Sequence, residues 1–222
     1  MAVCDANYCF TLVDIGGYGR DNDASIFGQC KMGEGFEENE MNCPNAEIVN
    51  GYTLPYVIIS DEIFPLKNWL MKPYPGKNLS EEREIFNYRL SRARRTIENA
   101  FGILAAKWRI FRRPIRGSPD TVERIIKACV CLNNYLKQTE NAVYIPEGFV
   151  DSTDNTGNFV PGSWRKVAGN DSSAIQSLKR TSSSNYKKDA KLIRGQFEMY
   201  FCSLPGSVPW QNEHVRSCGE KL

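Results

Sequence analysis

The chain has 222 residues, enough to bury a core of one or two domains. Hydrophobic content of 41% and charged content of 24% are ordinary for a globular protein. No apolar run is long enough for a membrane span, and the N-terminus shows no basic-then-apolar secretory leader, so no membrane partner is expected.

Net charge is only +2, but its distribution is uneven. Residues 1–66 carry eleven Asp/Glu against two Lys/Arg, net −9, whereas residues 80–116 carry ten Lys/Arg against four Glu, net +6. An acidic part beside a basic part suggests a metal-binding region next to a polyanion-binding one. The plainer alternative is a solvated basic helix face that balances the acidic half. The eight cysteines form no CxxC pair and there is one histidine, His214, so zinc-finger spacing is absent and reduced thiols are expected.

In chain order, residues 8–15 are rich in β-formers and predict a strand. Asp5 fits a turn before it. Asp21, Asn22 and Asp23 can cap a short helix through residues 24–27. Residues 31–51, acidic and rich in Gly and Asn, predict a loop. Residues 56–60 form an unbroken apolar run that suits an interior strand covered on both faces, and it ends at Asp61. Ser80 is a good N-cap, with Glu81 and Glu82 in the first turn of a long helix. Phe86, Leu90, Ala93, Ile97, Phe101, Leu104 and Trp108 make its apolar stripe. Pro114 ends that pattern, and Ser118 with Pro119 opens a second helix. From about residue 139 the character changes, and residues 151–188 are polar, with Ser182 to Asn185 reading as linker. Residues 187–201 regain a helical stripe of Ala190, Ile193, Phe197 and Phe201. The order favours α/β, with a domain over 1–138 and a C-terminal extension over 139–222 holding one helix near 187–201.

Asp61, at a strand end, and Glu98, on the long helix with 36 residues between them, are the candidate catalytic and metal-binding carboxylates. Hard oxygen ligands at such places suit Mg²⁺ or Mn²⁺ and phosphoryl-transfer chemistry. Each also has a plainer reading: Asp61 as a turn carboxylate, Glu98 as an intrahelical partner of Arg94 or Arg95. Arg89, Arg92, Arg94, Arg95, Lys107, Arg109, Arg112, Arg113 and Arg116 could track phosphates with little sequence preference. Trp108 and Phe111 interleave with them, and their helical spacing favours core packing over base stacking.

Several ordered stretches carry a resemblance: Asp5-Ala6-Asn7-Tyr8, then Val13-Asp14-Ile15-Gly16-Gly17-Tyr18-Gly19-Arg20, then Asp61-Glu62-Ile63-Phe64-Pro65-Leu66. The longest runs from Phe86-Asn87-Tyr88-Arg89-Leu90-Ser91-Arg92 into Glu98-Asn99-Ala100-Phe101-Gly102. Later come Pro161-Gly162-Ser163-Trp164-Arg165 and Val208-Pro209-Trp210-Gln211. Together they resemble the Harbinger (PIF) transposase superfamily and nucleases derived from it. That resemblance implies a ribonuclease-H-like mixed sheet flanked by helices. It also implies an Asp-Asp-Glu triad that binds divalent metal and cuts DNA by two-metal chemistry, in which Asp61 matches the second Asp and Glu98 the Glu. The first Asp and its strand have no counterpart here, so the chain is expected to begin in the second strand and to cut weakly or not at all. Where the family often has Leu-His-Asn, this chain has Leu132-Asn133-Asn134. The implied partner is DNA, with a possible protein partner supplying DNA binding or nuclear import, and the implied location is the nucleus, or else the cytoplasm. The alternative is a non-catalytic DNA- or protein-binding module.

Overall fold

The structure is a computed structural model that describes residues 1–17, 23–168 and 187–219. The Asp21–Asn22 cap and the linker at 182–185 lie outside the described residues. The chain divides into two compact units, one of Met1–Asp21 with Arg95–Leu178 and one of Asn22–Arg94 with Lys179–Leu222.

The first unit begins with a hairpin of β1 (Ala2–Cys4) and β2 (Phe10–Val13), paired antiparallel with a bulge at Val3/Cys4. Asp5 closes its loop, as its sequence position suggests: Oδ1 accepts from the N–H of Asn7 at 2.8 Å and of Cys9 at 2.9 Å. On the other edge of β2, the Asn134 amide accepts from Phe10 N–H at 2.9 Å and donates to its carbonyl at 2.7 Å. A side chain thus occupies the edge where a third strand would pair.

The second unit begins with α1 (Asp23–Gln29) and α2 (Lys31–Glu37), followed by β3 (Glu47–Val49) and β4 (Tyr52–Leu54). The loop expected over 31–51 therefore holds a helix and a strand, with residues 38–46 between them outside regular structure. Cys30 caps α2, accepting from Gly33 N–H at 3.4 Å, and Phe36 stacks on Trp69 at 4.9 Å. Gly33 is there because a Cβ would meet the Phe27 carbonyl oxygen at 1.8 Å. Asn50 and Gly51, with φ of 51° and 86°, supply the left-handed turn between β3 and β4. The apolar run before Asp61 yields only β5 (Ile58–Ile59), paired parallel with β6 (Leu70–Met71). Tyr56 is 48% and Ile59 38% exposed, so this strand is not covered on both faces.

Helix α3 (Glu81–Lys107) contributes its turns through Arg94 to the second unit and those from Arg95 to the first. A 3₁₀ turn at Arg109–Arg112 follows, then α4 (Pro119–Thr139), with Ser118 as N-cap and Pro119 in its first turn. Beyond it lie α5 (Asn141–Tyr144), β7 (Ser152–Thr153) paired with β8 (Phe159–Val160), α6 (Trp164–Ala168), α7 (Lys188–Cys202) and α8 (Gln211–Gly219). The fold is mixed α/β, and among the described residues its strands pair as four two-stranded sheets.

The first unit's core joins Phe10, Ala100, Leu104, Cys129 and Val130, with Trp108 and Phe111 packed against it, and Ile103, Ala106, Tyr144 and Phe149 extend it. Trp108 and Phe111 are thus core residues. The second unit's core joins Leu66, Met71, Phe86, Leu90 and Ala190, with Ile193, Phe197 and Phe201 of α7 against it. No helix of the described residues is long and apolar enough to cross a membrane.

Candidate functional site

Glu98 is exposed on α3 in the first unit, and the residues around it are tightly fixed. Asn99, next along the helix, is 2% exposed. Its Nδ2 donates to the Asp151 carbonyl at 3.1 Å, and its Oδ1 accepts from Asp151 N–H at 2.9 Å and from Trp164 Nε1 at 2.9 Å. One turn on, Gly102 leaves room for the Trp164 ring, which a Cβ would meet at 2.5 Å. The Asp151 carboxylate is fully buried and accepts from Gly162 N–H at 2.8 Å, Arg165 Nε at 2.9 Å and Arg165 Nη2 at 2.5 Å. Burial alone would push this carboxyl upward; the Arg165 and Gly162 hydrogen bonds and the Arg165 and Arg95 charges outweigh it and hold it below the ordinary range. Arg165 is raised chiefly by its hydrogen bond to Asp151, then by the Asp151 and Glu98 charges, against a burial penalty. A protein cation therefore sits in the electrostatic neighbourhood of Glu98. Arg95 reaches Thr153 Oγ1 at 3.0 Å and lies over the Phe159 ring at 5.4 Å.

Asp61 belongs to the second unit, half-buried directly after β5. Its Oδ1 accepts from Ile63 N–H at 3.0 Å, an Asx turn that fixes the carboxylate at the strand end. The preceding Ser60 ties β5 to β6, its N–H and hydroxyl both donating to the Met71 carbonyl, at 2.9 and 3.1 Å.

The nine basic residues separate into different environments. Arg89 is built into the second unit: Nη1 donates to the Gly206 carbonyl at 2.7 Å and Gln211 Oε1 at 3.1 Å, and the guanidinium lies over the Phe201 ring at 4.6 Å. Burial, then the Arg92 charge, lowers its pKa. Arg92 lies over Trp210 at 5.2 Å and Tyr88 at 5.7 Å, and Trp210 Nε1 donates to the Tyr88 hydroxyl at 3.0 Å. His214 stacks on that same Tyr88 at 4.4 Å and is half-buried instead of on the open surface. Arg94 is half-buried. In the first unit, Lys107 lies over Phe149 at 4.7 Å, and Arg112 Nη2 donates to the Ala106 carbonyl at 2.7 Å. Arg109, Arg113 and Arg116 are exposed, and with Arg112 they line one depression after α3.

Asn99, Gly102, Trp164 and Arg165 stand in the stretches that carry the family resemblance, whereas Asp151 lies outside them. Among the described residues, no set of three or more His, Cys, Asp or Glu side chains is arranged to hold a metal ion. Asp61 belongs to the second unit and Glu98 to the first.

Comparison with known proteins places residues 1–134 within the DDE superfamily endonuclease family. A protein of Arabidopsis thaliana described as "Protein ALP1-like" is 36% identical over 86 residues, covering 38% of this chain and 21% of its own length. The chain thus spans about a fifth of that curated relative. No solved structure matches.

Proposed function

The chain belongs to the DDE superfamily endonucleases, and from that premise we propose that this transposase-derived domain acts on DNA with a divalent cation, Asp61 and Glu98 being its carboxylate ligands. The observation that carries this reading is the family match over residues 1–134, which takes in both acids. A Mg²⁺ or Mn²⁺ bound by them would activate a water and stabilise charge on the leaving oxygen.

The chain's own residues do the rest. Asn99 holds the helical turn bearing Glu98 by clasping the backbone at 151. Asp151 fixes the Arg165 guanidinium that lies near Glu98, a cation able to meet a phosphate oxygen. Arg109 and Arg113, exposed on the same unit, can neutralise further phosphates without reading bases. Because these residues present two of the three acids of the implied triad, slow cutting is the expectation for this chain.

Further parts of this proposal rest on the family resemblance and, for the domain division, on the change of sequence character near residue 139. They are a ribonuclease-H-like plan, a nuclease part over 1–138 with an extension over 139–222, a nuclear location, and a protein partner that supplies DNA binding or import.

A second reading is a non-catalytic DNA- or protein-binding module, in which Arg165, held by Asp151 in the electrostatic neighbourhood of Glu98, meets phosphate without metal chemistry. Nicking of supercoiled plasmid decides between them. The first reading expects slow nicking with Mg²⁺ or Mn²⁺ that is lost with chelator and in Asp61→Asn or Glu98→Gln. DNA binding untouched by chelator and by both substitutions, with no nicking in any metal, would select the second.

A further inference from the structure

The depression after α3 has a chemistry that backbone tracking alone does not require. Its volume is about 530 Å³, within the range of about 300–1,000 Å³ typical of small-molecule sites. Four of its lining residues are arginines: Arg109, Arg112, Arg113 and Arg116. The others include Ile110, Ile115 and Ile125, which give it an apolar component. Ile115 and Ile125 are half-buried, whereas Ile110 is 41% exposed.

Arg112 is prearranged. Its Nη2 is anchored on the Ala106 carbonyl, and its Nε has no hydrogen-bond partner. That anchoring means the side chain has already given up most of its freedom before an anion arrives, while the Nε itself is buried. The exposed Arg109, Arg113 and Arg116 add charge on the same depression. A duplex backbone presents phosphates and sugars on a convex surface and has no use for an apolar wall. An unpaired nucleotide has both parts: a phosphate for the arginines and a flat apolar face for isoleucine side chains or a guanidinium plane.

We propose that this Arg109–Arg116 pocket receives an unpaired nucleotide of single-stranded DNA, phosphate on the arginines and base against Ile110 and Ile115. The proposal rests on the reading that the chain handles DNA, and it adds that part of the DNA is held unpaired. It needs no metal, because among the described residues none that lines the pocket is a carboxylate.

Fluorescence anisotropy in EDTA tests it on the full chain. The probes are a labelled single-stranded oligodeoxynucleotide, an abasic strand of the same length, and a blunt duplex. The base-bearing strand should bind about tenfold more tightly than the abasic one. Arg109→Ala with Arg113→Ala should weaken it by about tenfold or more at fixed salt, with a smaller effect on the duplex. Ile110→Asp, at an exposed position, should abolish the preference for the base-bearing strand, with an unchanged thermal melt showing that the fold is intact. Equal binding of abasic and base-bearing strands would overturn the proposal, as would an equal loss for strand and duplex in the double variant. Because the readout excludes metal, loss of metal-dependent nicking with pocket binding intact would sink the nuclease reading alone. The reverse pattern would sink the pocket alone.

Discussion

Asn99 and the backbone of Asp151 exchange two hydrogen bonds across 52 residues of sequence, at 3.1 and 2.9 Å. The side chain beside the candidate catalytic Glu98 is thereby committed to holding the chain that carries Asp151 and Arg165. Replacing Asn99 with Ala leaves the Asp151 N–H and carbonyl and the Trp164 N–H without partners in a buried place. The expected cost is about 2–4 kcal/mol, read from chemical denaturation. A loss below about 0.5 kcal/mol would show that the clasp is ornamental.

Two helix glycines should respond in opposite directions. Gly195→Ala in α7 places a methyl group where nothing lies within 4 Å, so helix propensity should raise stability by about 0.5–1 kcal/mol. Gly102→Ala makes the same propensity gain, but its methyl would stand 2.5 Å from the Trp164 ring. Overpacking of that kind costs about 1–3 kcal/mol, so the net effect should be destabilising. Thermal melts of the two variants check the pair.

The depressed Asp151 carboxyl sets a pH dependence. A carboxylate whose folded pKa lies below its unfolded value, near 3.8, contributes stability above that value and loses it as pH falls through the folded one. The wild-type melting temperature should therefore fall below about pH 4. Asp151→Asn should cost about 3 kcal/mol near neutral pH, because Arg165 and the Gly162 N–H lose a buried charged acceptor, and it should flatten the acid limb. An unchanged acid limb would remove Asp151 from this account.

Arg89 and Arg113 both belong to the basic stretch but should fail differently. Arg89→Ala, which unties the Gly206 carbonyl and Gln211, should lower stability by about 2–3 kcal/mol. Arg113→Ala should leave stability within about 0.5 kcal/mol of wild type. It should instead weaken DNA binding and reduce the salt dependence of log K by about one. Denaturation and salt-dependent anisotropy on the same variants separate the two roles.

The sequence was most legible where one short stretch decides the outcome. Ser118 and Pro119 announced α4, and Asp5 announced its turn, because a cap or a turn is settled by a few neighbouring atoms. Helix α2 was illegible because its Gly33 and Gly35 look like loop residues until Phe27 and Met41 stand against them and Trp69 stacks on Phe36. Asn50-Gly51 carries a local turn signal set within an acidic stretch. At the candidate site, the helical setting of Glu98 was legible from the apolar stripe around it. Its link through Asn99 to Asp151 and Arg165 was not, because partners 52 residues away leave no periodicity. Arg89 looked like a solvated charge because only the fold reveals that Gly206, Gln211 and Phe201 enclose it.

The central claim is that Asp61 and Glu98 each ligate a divalent cation. Mn²⁺ titration followed by electron paramagnetic resonance measures this without requiring turnover. The wild-type chain should bind Mn²⁺, and Asp61→Asn and Glu98→Gln should each weaken that binding by about tenfold or more, since each removes a charged oxygen ligand. Arg113→Ala should leave it unchanged. Mn²⁺ binding that is identical in the wild type and in a variant lacking both carboxylates would contradict the account.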